Sequence, residues 1–300
     1  MRITRQGQIG NLLAGEITIA AFLIAIFTYF TFIAATPIQP AIVVQTEHFR
    51  IHAATTEQAN KIASLAENSL YRISTEILTY KSSITSKIDV FIWSCQHDFS
   101  KSLAYDKTSG TGLSRLLLAE DGTILRRIDI IPPAPVNTVL PHEIAHLLLN
   151  ELDLNRQKAG LPSIPLALHE GIAILAEGKY HDDLIMKAAV KLCCPVSDKN
   201  AEAVGRLSNF EKLIAATNYD GTGMEVCDFY AQSYSFVEYL HAELKPEGMN
   251  RLLNGLAAGM PFNDAIQLAL GDTSANFKQN LVRKWYAHSN KNTEALIAIR

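Results

Sequence analysis

The chain has 300 residues, of which 48% are hydrophobic, which suits one membrane or targeting segment plus one domain, or two small subdomains. The formal net charge of −3 gives no electrostatic basis for binding DNA or RNA, so we expect no nucleic-acid partner. The four cysteines form no Cys-x-x-Cys pair and no zinc-ribbon spacing, which excludes a cysteine-based zinc module. A Cys194–Cys227 disulfide and buried free thiols are equally open alternatives.

The N-terminal part of the chain contains one long apolar run. Residues 17–35 are 19 residues without a charge, enough to cross the hydrocarbon core of a membrane as a helix. Because an ordinary signal peptide has an apolar region of only about 7–15 residues, this length favours an uncleaved transmembrane anchor over a removed signal peptide, with a buried core helix as a third alternative. Arg2 and Arg5 indicate that residues 1–16 stay cytoplasmic, so the rest of the chain would be extracytoplasmic, periplasmic or extracellular. A linker with two prolines follows at residues 36–40.

The next hundred residues are predicted to mix strands and helices. Residues 56–78 carry an apolar stripe at helical spacing, which predicts an amphipathic helix. His97 and Asp98 are expected in a polar loop, and residues 110–112 in a turn. The predicted strands are 41–51 (one strand or two short ones), 88–93, 116–119 and 123–131, with a hairpin turn at Asp121-Gly122 between the last two.

A His-Glu-x-x-His motif, His142 to His146, lies in an apolar helical segment. At 3.6 residues per turn the two histidines lie one turn apart on one helix face, where both imidazoles can bind one zinc ion. Glu143 is rotated off that axis and suits a general base acting on water that the metal activates. The alternative is a helix whose histidines merely face solvent or core, but buried imidazoles beside a carboxylate need partners. We expect Asn137 or Thr138 to cap this helix.

A third zinc ligand is expected on a second helix. Glu170 follows His146 by 24 positions, which leaves room for the first helix to end, a loop near residues 155–165, and a helix that packs back. A carboxylate there completes a site of two histidines and one glutamate, and it leaves the fourth coordination position open for water. Glu177, seven positions later on nearly the same helix face, is the rival ligand or a contact for a ligand histidine, and His169 is a further candidate.

After the metal motif the chain is predicted to be almost entirely helical. Ser163 is expected to cap the second helix and Gly178 to end it. The fold class is therefore α+β, with a mixed α/β N-terminal subdomain that holds a small sheet and a mainly α-helical C-terminal subdomain. Both belong to one domain at residues 41–289, with the site where they meet. Further helices are predicted at residues 182–192, 209–215, 229–244, 248–256, 261–270 and 274–289, followed by a C-terminal tail at 290–300.

These segments resemble the gluzincin-type zinc metallopeptidases, specifically the peptidase MA-like group related to the aminopeptidase N and thermolysin families. In that group the second helix reads Asn-Glu-Gly-hydrophobic-Ala and its Glu binds zinc. Here His169-Glu170-Gly171-Ile172-Ala173 matches, with His169 in place of the usual Asn. Tyr230-Ala231-Gln232-Ser233 is similar to the start of the helix that carries the transition-state tyrosine in aminopeptidase-like relatives. The resemblance implies a zincin-like fold.

The resemblance also implies roles for individual residues. Tyr230 would donate a hydrogen bond to the developing oxyanion, with Tyr234 as the fallback and aromatic packing between helices as the alternative for Tyr230. Zinc (Zn2+) would be the cofactor, held by His142, His146 and Glu170. In the resembled group an edge strand pairs with the substrate backbone, a role we expect here for residues 123–131.

The activity that the resemblance implies is hydrolysis of peptide bonds in a peptide or protein substrate, with Glu143 as general base. No Gly-x-Met-x-Asn motif, which aminopeptidase relatives use to bind a free N-terminus, precedes the metal helix, and this favours an endopeptidase or a peptidase of narrow specificity. The alternative is a non-catalytic binding or assembly protein on a peptidase-like fold. An intact Glu143 argues against that alternative, since a scaffold does not need the base.

Overall fold

The computed structural model describes residues 40–79, 84, 86–103, 111–119, 123–131, 134–178, 208–216 and 226–299. The predicted membrane anchor at residues 17–35, the hairpin turn at 121–122 and the helix at 182–192 lie outside these described residues. Within the described ranges, no helix has the length and apolar character needed to cross a membrane.

Five strands form one mixed sheet with the order β1-β2-β3-β5-β4. The two outermost pairs are antiparallel, whereas β2, β3 and β5 run parallel in the centre. The segment predicted as one strand or two forms two, β1 and β2. The strands are β1 (Ile42–Gln45), β2 (Phe49–Ala53), β3 (Ile88–Ile92), β4 (Gly112–Leu118) and β5 (Ile124–Ile130).

The edge strand beside the metal motif is β4, not β5, so the prediction for residues 123–131 was wrong. β5 pairs with β3 on one side and with β4 on the other, which leaves β5 no free edge. β4 begins at Gly112, four residues before its predicted start and inside the predicted turn. Strand order depends on long-range pairing, and the local alternation that identified the two strands carries no information about it.

Eight helices are described. The predicted polar loop at His97 and Asp98 was wrong, because both residues lie in a helix that buries Phe99 against the aromatic rings of β3. The helices are α1 (Thr56–Arg72, continued by a π-helical turn Ile73–Ile77), α2 (Gln96–Leu103), α3 (Val136–Lys158), α4 (Leu166–Glu177), α5 (208–215), α6 (Val226–Ala257), α7 (Phe262–Leu270) and α8 (Phe277–Ile299).

The starts of the two site helices differ from the predicted caps. α3 begins right after Pro135, so Thr138 lies inside its first turn, and its hydroxyl donates to the Pro135 carbonyl at 2.8 Å. α4 likewise begins right after Pro165 without a side-chain cap. A proline at the N-cap has no N–H, which removes one of the amide groups that would otherwise lack a partner at the helix start. Gly178 ends α4 as predicted, with a positive φ of 83° that favours glycine.

The two helices predicted at residues 229–244 and 248–256 form the single element α6, which is kinked at Lys245. This residue has a φ of 52° and directly precedes Pro246. A proline disfavours the helical conformation for the residue before it, which explains the break that the sequence indicates. The last helix, α8, runs to Ile299 through the segment predicted as a C-terminal tail.

The core lies between one face of the sheet and the helices. α3 crosses under β4 and β5 and contacts α1, α4 and α6, so the metal motif lies at the junction of sheet and helical half. The inward side chains of the central strands are fully or almost fully buried: Phe49, Ile51, Ala53, Ile88, Val90, Ile92, Ile128 and Ile130. Their alternation with half-buried residues in β2 is the period-2 pattern of a sheet with one face in the core.

The other face of the sheet carries charged side chains. The Asp89 carboxylate accepts hydrogen bonds from Arg50 at 2.6 Å and from His52 at 2.9 Å. Burial alone would raise the pKa of Asp89, but these hydrogen bonds and the two positive charges outweigh it and hold that pKa below its ordinary value of 3.8. Asp89, on β3, therefore stabilises the pairing with β2 through charged hydrogen bonds to Arg50 and His52.

Candidate metal centre

Helix α3 presents His142 and His146 to the same side. Their Nε2 atoms are 3.0 Å apart and the ring centroids 4.6 Å apart, with both side chains partly buried. The helix has this orientation because its opposite face packs into the core through fully or almost fully buried residues: Leu140, Ile144, Ala145, Leu147 and Leu148. The burial of that apolar face turns the two imidazoles toward a cleft.

Helix α4 brings Glu170 to the two histidines. Glu170 is 3% exposed, and its Oε2 atom lies 3.5 Å from His146 Nε2 and 3.8 Å from His142 Nε2. Gly171 allows α4 to approach α6 closely, because a Cβ atom there would lie 2.3 Å from the backbone oxygen of Ser233. The glycine that follows the carboxylate therefore sets the packing of the helix that carries it.

The three facing atoms fit a zinc ion. The circle through His142 Nε2, His146 Nε2 and Glu170 Oε2 has a radius of about 2.0 Å, which equals typical zinc–nitrogen and zinc–oxygen distances. Two imidazoles and a carboxylate are also a donor set that zinc uses at catalytic sites. Among the described residues, these three form the one group of His, Cys, Asp or Glu side chains able to hold a metal.

Glu177, the rival ligand, contacts the far side of His142 instead. Its Oε1 atom lies 2.6 Å from His142 Nδ1, where an Nδ1–H donates to the carboxylate, and this contact leaves Nε2 on the side of Glu170. Burial disfavours the charged imidazole, but the hydrogen bond to Glu177 and the charges of Glu143, Glu177 and Glu170 raise the pKa of His142 above its ordinary value. Glu177 thus contacts His142, one of the two predicted histidine ligands, on the ring edge away from Glu170.

His169, the other candidate ligand, is hydrogen-bonded elsewhere. Its Nε2 atom lies 3.1 Å from Asp153 Oδ2, and Asp153 Oδ1 also accepts from the Ile164 amide at 2.6 Å. The His169 ring stacks near that of His146, with centroids 6.1 Å apart. The Asp153–His169 hydrogen bond therefore links α3 to α4. It lies beside His142, His146 and Glu170, which are called the metal group below.

The metal group opens into a cleft of about 1270 Å³. Its walls come from the start of β4, one face of α3, the α3–α4 connection, α4, and residues 214–216 at the end of α5. Glu143 and Tyr230 both line this cleft, and of the two tyrosines proposed for the oxyanion, Tyr230 alone is among the described lining residues. Both tyrosines also pack against Ile174 and Ala231.

The side chain of Glu143, on α3, packs against the start of the edge strand β4. It is 7% exposed, and a Cβ atom at Gly112 would lie 2.6 Å from its Oε1 atom and 2.5 Å from Val139 Cγ1. Only glycine at this position lets β4 pass so close to the carboxylate. The carboxylate is therefore placed where the free edge of β4 reaches the metal group.

Two residues of the site were not anticipated from the sequence. Gly112 was assigned to a turn, and no local pattern distinguishes a glycine in a turn from one that lets a strand approach a helix. Asp153 did have a signal, because it follows His146 by seven positions and so lies on nearly the same face of α3. That spacing identifies it as a neighbour of the metal group.

The chain matches a known protein family. The model of the peptidase MA superfamily matches residues 66–287, which covers the sheet from β3 onward, the metal group, Tyr230 and most of the helical half. No curated protein matches the chain significantly.

Proposed function

Because the chain belongs to the peptidase MA superfamily, we propose that it is a zinc-dependent peptidase of the gluzincin type. The observation that carries the proposal is the convergence of His142, His146 and Glu170 at zinc-binding distances, with Glu143 beside them in an open cleft. Two helices and an edge strand hold these groups in place, and the chemistry of the donor set fits zinc. Peptide or protein chains are the substrates that this family implies.

The side chains that would hold zinc are those of His142, His146 and Glu170. When bound, zinc supplies a Lewis acid that activates water and polarises the scissile carbonyl. Glu177 keeps the Nδ1 proton on His142, so that His142 offers its Nε2 lone pair to the metal. Asp153 and His169 hold the two ligand helices together at the same end of the cleft.

Glu143 is the general base of the proposed reaction. It takes the proton of the attacking water and later delivers it to the nitrogen of the leaving amine. Its carboxylate suits this role because it lies in the cleft next to the ligand histidines, packed against Gly112 so that it has little freedom to move. A positioned general base contributes about 10²–10⁴-fold to the rate.

Tyr230 is the proposed oxyanion donor. It reaches the cleft from the first turns of α6, the helix that Gly171 allows to pack closely on α4. Its phenol would donate to the carbonyl oxygen as negative charge develops there, an interaction worth about 3 kcal/mol when one such donor is removed from an enzyme.

The substrate is proposed to be an extended internal segment of a peptide. The outer edge of β4, which pairs with no other described strand, enters the cleft at residues 112–114. A peptide laid along it would gain backbone hydrogen bonds without a sequence requirement. The missing N-terminus-binding motif supports an endopeptidase. The apolar run at residues 17–35, together with Arg2 and Arg5, supports a membrane anchor with the catalytic domain extracytoplasmic.

Hydrolysis of an unfolded protein such as casein, and of a mixed library of fluorogenic peptides, tests this proposal. The zinc-loaded full-length chain is expected to cleave, and Glu143→Gln is expected to retain zinc but lose at least about 100-fold in kcat/KM. Glu247→Gln, an exposed site on α6, is the matched control and should behave as wild type. Zinc-loaded wild type without hydrolysis would favour a binding or assembly role, and full activity in Glu143→Gln would contradict the assigned base.

A further inference from the structure

A second, smaller crevice lies in the helical half of the chain. It is formed where α6, the end of α7 and α8 meet, has a volume of about 180 Å³ and shares no lining residue with the metal cleft. The described side chains that line it are mostly polar at the surface and apolar at the sides: Tyr239, Glu243, Leu244, Arg251, Ala269, Leu270, Asp272, Phe277, Leu281 and Lys284.

Tyr239 is one of the residues that line this crevice. The residue is 1% exposed, and among the described residues its hydroxyl oxygen has no hydrogen-bond partner. A buried hydroxyl is normally hydrogen-bonded, and a phenylalanine would fill the same space without the polar atom. Burial, and after it the charge of Glu243, raises the pKa of Tyr239 to about 12, so at neutral pH the group is a phenol that can donate a hydrogen bond.

Four charged side chains line the same crevice, two of each sign. Arg251 and Lys284 are cationic, and Glu243 and Asp272 are anionic. Hydrogen bonds from Ser274 and, after them, the charge of Lys284 lower the pKa of Asp272 below its ordinary value. Arg251 is anchored at the crevice because its Nη2 atom donates to the Ala269 carbonyl at 3.0 Å. A simple anion or a simple cation would meet charges of its own sign here, whereas a molecule with both charges would match the site.

We propose that this crevice binds a small zwitterion of the size of a free amino acid. With a volume of about 180 Å³, it has room for a small amino acid but not for a peptide. The carboxylate of the ligand would accept from the Tyr239 hydroxyl and from Arg251 or Lys284, and its ammonium group would face Glu243 and Asp272.

Titration calorimetry of the full-length chain with L-alanine tests the proposal. Saturable binding is expected with a Kd of about 1 mM. Acetate and ethylammonium, each of which carries only one of the two charges, are expected to bind at least about tenfold more weakly. This measurement requires neither zinc nor hydrolysis. A failure of alanine binding can therefore be distinguished from a failure of the proposed peptidase function.

Two substitutions with matched controls locate the site. Tyr239→Phe is expected to weaken alanine binding about tenfold or more without lowering the thermal stability of the free protein, because its hydroxyl has no described partner to lose. The exposed Tyr71→Phe is its control. Lys284→Gln should also weaken binding, whereas its neighbour Arg283→Gln, which changes the net charge equally but does not line the crevice, should not.

Four results would overturn the proposal. The first is an absence of saturation by alanine in the millimolar range. The second is equal alanine affinity in wild type and Tyr239→Phe. The third is acetate binding as tight as alanine binding, which would identify a plain anion site. A marked loss of stability in Tyr239→Phe would show that the hydroxyl serves the fold instead.

Discussion

Removal of the Glu177 carboxylate should weaken zinc binding without removing a ligand. The charge-assisted hydrogen bond of 2.6 Å from His142 Nδ1 is made inside the protein, with Glu177 only 9% exposed. Groups that orient a metal-binding histidine typically contribute 10–100-fold to metal affinity, which is about 1.4–2.7 kcal/mol. The size of the loss should depend on what replaces the carboxylate.

Glu177→Gln keeps an acceptor oxygen but loses the negative charge, so we expect about a tenfold loss of zinc affinity. Glu177→Ala leaves the partly buried imidazole N–H without this acceptor, and we expect a loss near 100-fold. Zinc affinity is measured by competition with a chromogenic chelator at constant pH, with circular dichroism to verify that each variant is folded. Glu247→Gln serves as the exposed control.

Both variants should still bind one zinc per chain at saturation, because the three proposed ligands remain. Unchanged affinity in Glu177→Ala would contradict the orienting role. A complete loss of zinc at saturating concentrations would identify Glu177 as a ligand and contradict the assignment of Glu170.

Three further predictions follow from close packing and from charge. Gly112→Ala should displace the Glu143 carboxylate, lowering kcat at least about tenfold while KM and zinc content change little, as steady-state kinetics and metal analysis would show. Gly171→Ala should lower the free energy of unfolding in urea by about 3 kcal/mol, whereas Gly255→Ala, whose Cβ would meet only ordinary contacts at 3.5 Å, should be neutral or stabilising. Asp89→Asn should be less stable than wild type at pH 7, and because the folded pKa of Asp89 lies below 3.8, this difference should shrink as the pH falls below about 4; an equal difference at pH 3 and pH 7 would contradict the account.

The sequence was most informative where the geometry is local. His142 and His146 are four residues apart on one helix, so helical periodicity alone places them together, and the described Nε2 separation agrees with this. The position of Glu170 requires two helices to pack, and there the Glu-Gly pair of a known family supplied what periodicity does not. The structure adds the physical reason for the glycine, which is the close approach of α6.

The predictions that were wrong concern contacts distant in sequence. Nothing in the alternation of β4 and β5 says which of them pairs with β3, so the edge strand was assigned to the wrong segment. The helix at His97 forms because Phe99 is buried against Phe91 and Trp93, a tertiary contact that outweighs the weak local signal. Gly112 belongs to the same class, since its importance appears only once α3 and β4 are packed together.

Zinc content is the most direct test of the central claim, that His142, His146 and Glu170 form a zinc site. The purified full-length chain is compared by elemental analysis with His146→Ala and Glu170→Gln after equilibration with limiting free zinc, with Glu247→Gln as control. We predict about one zinc per chain in wild type and control, and little or none in the other two variants. Zinc-free wild type that takes up none when zinc is added, or Glu170→Gln that retains zinc as tightly as wild type, would contradict the claim.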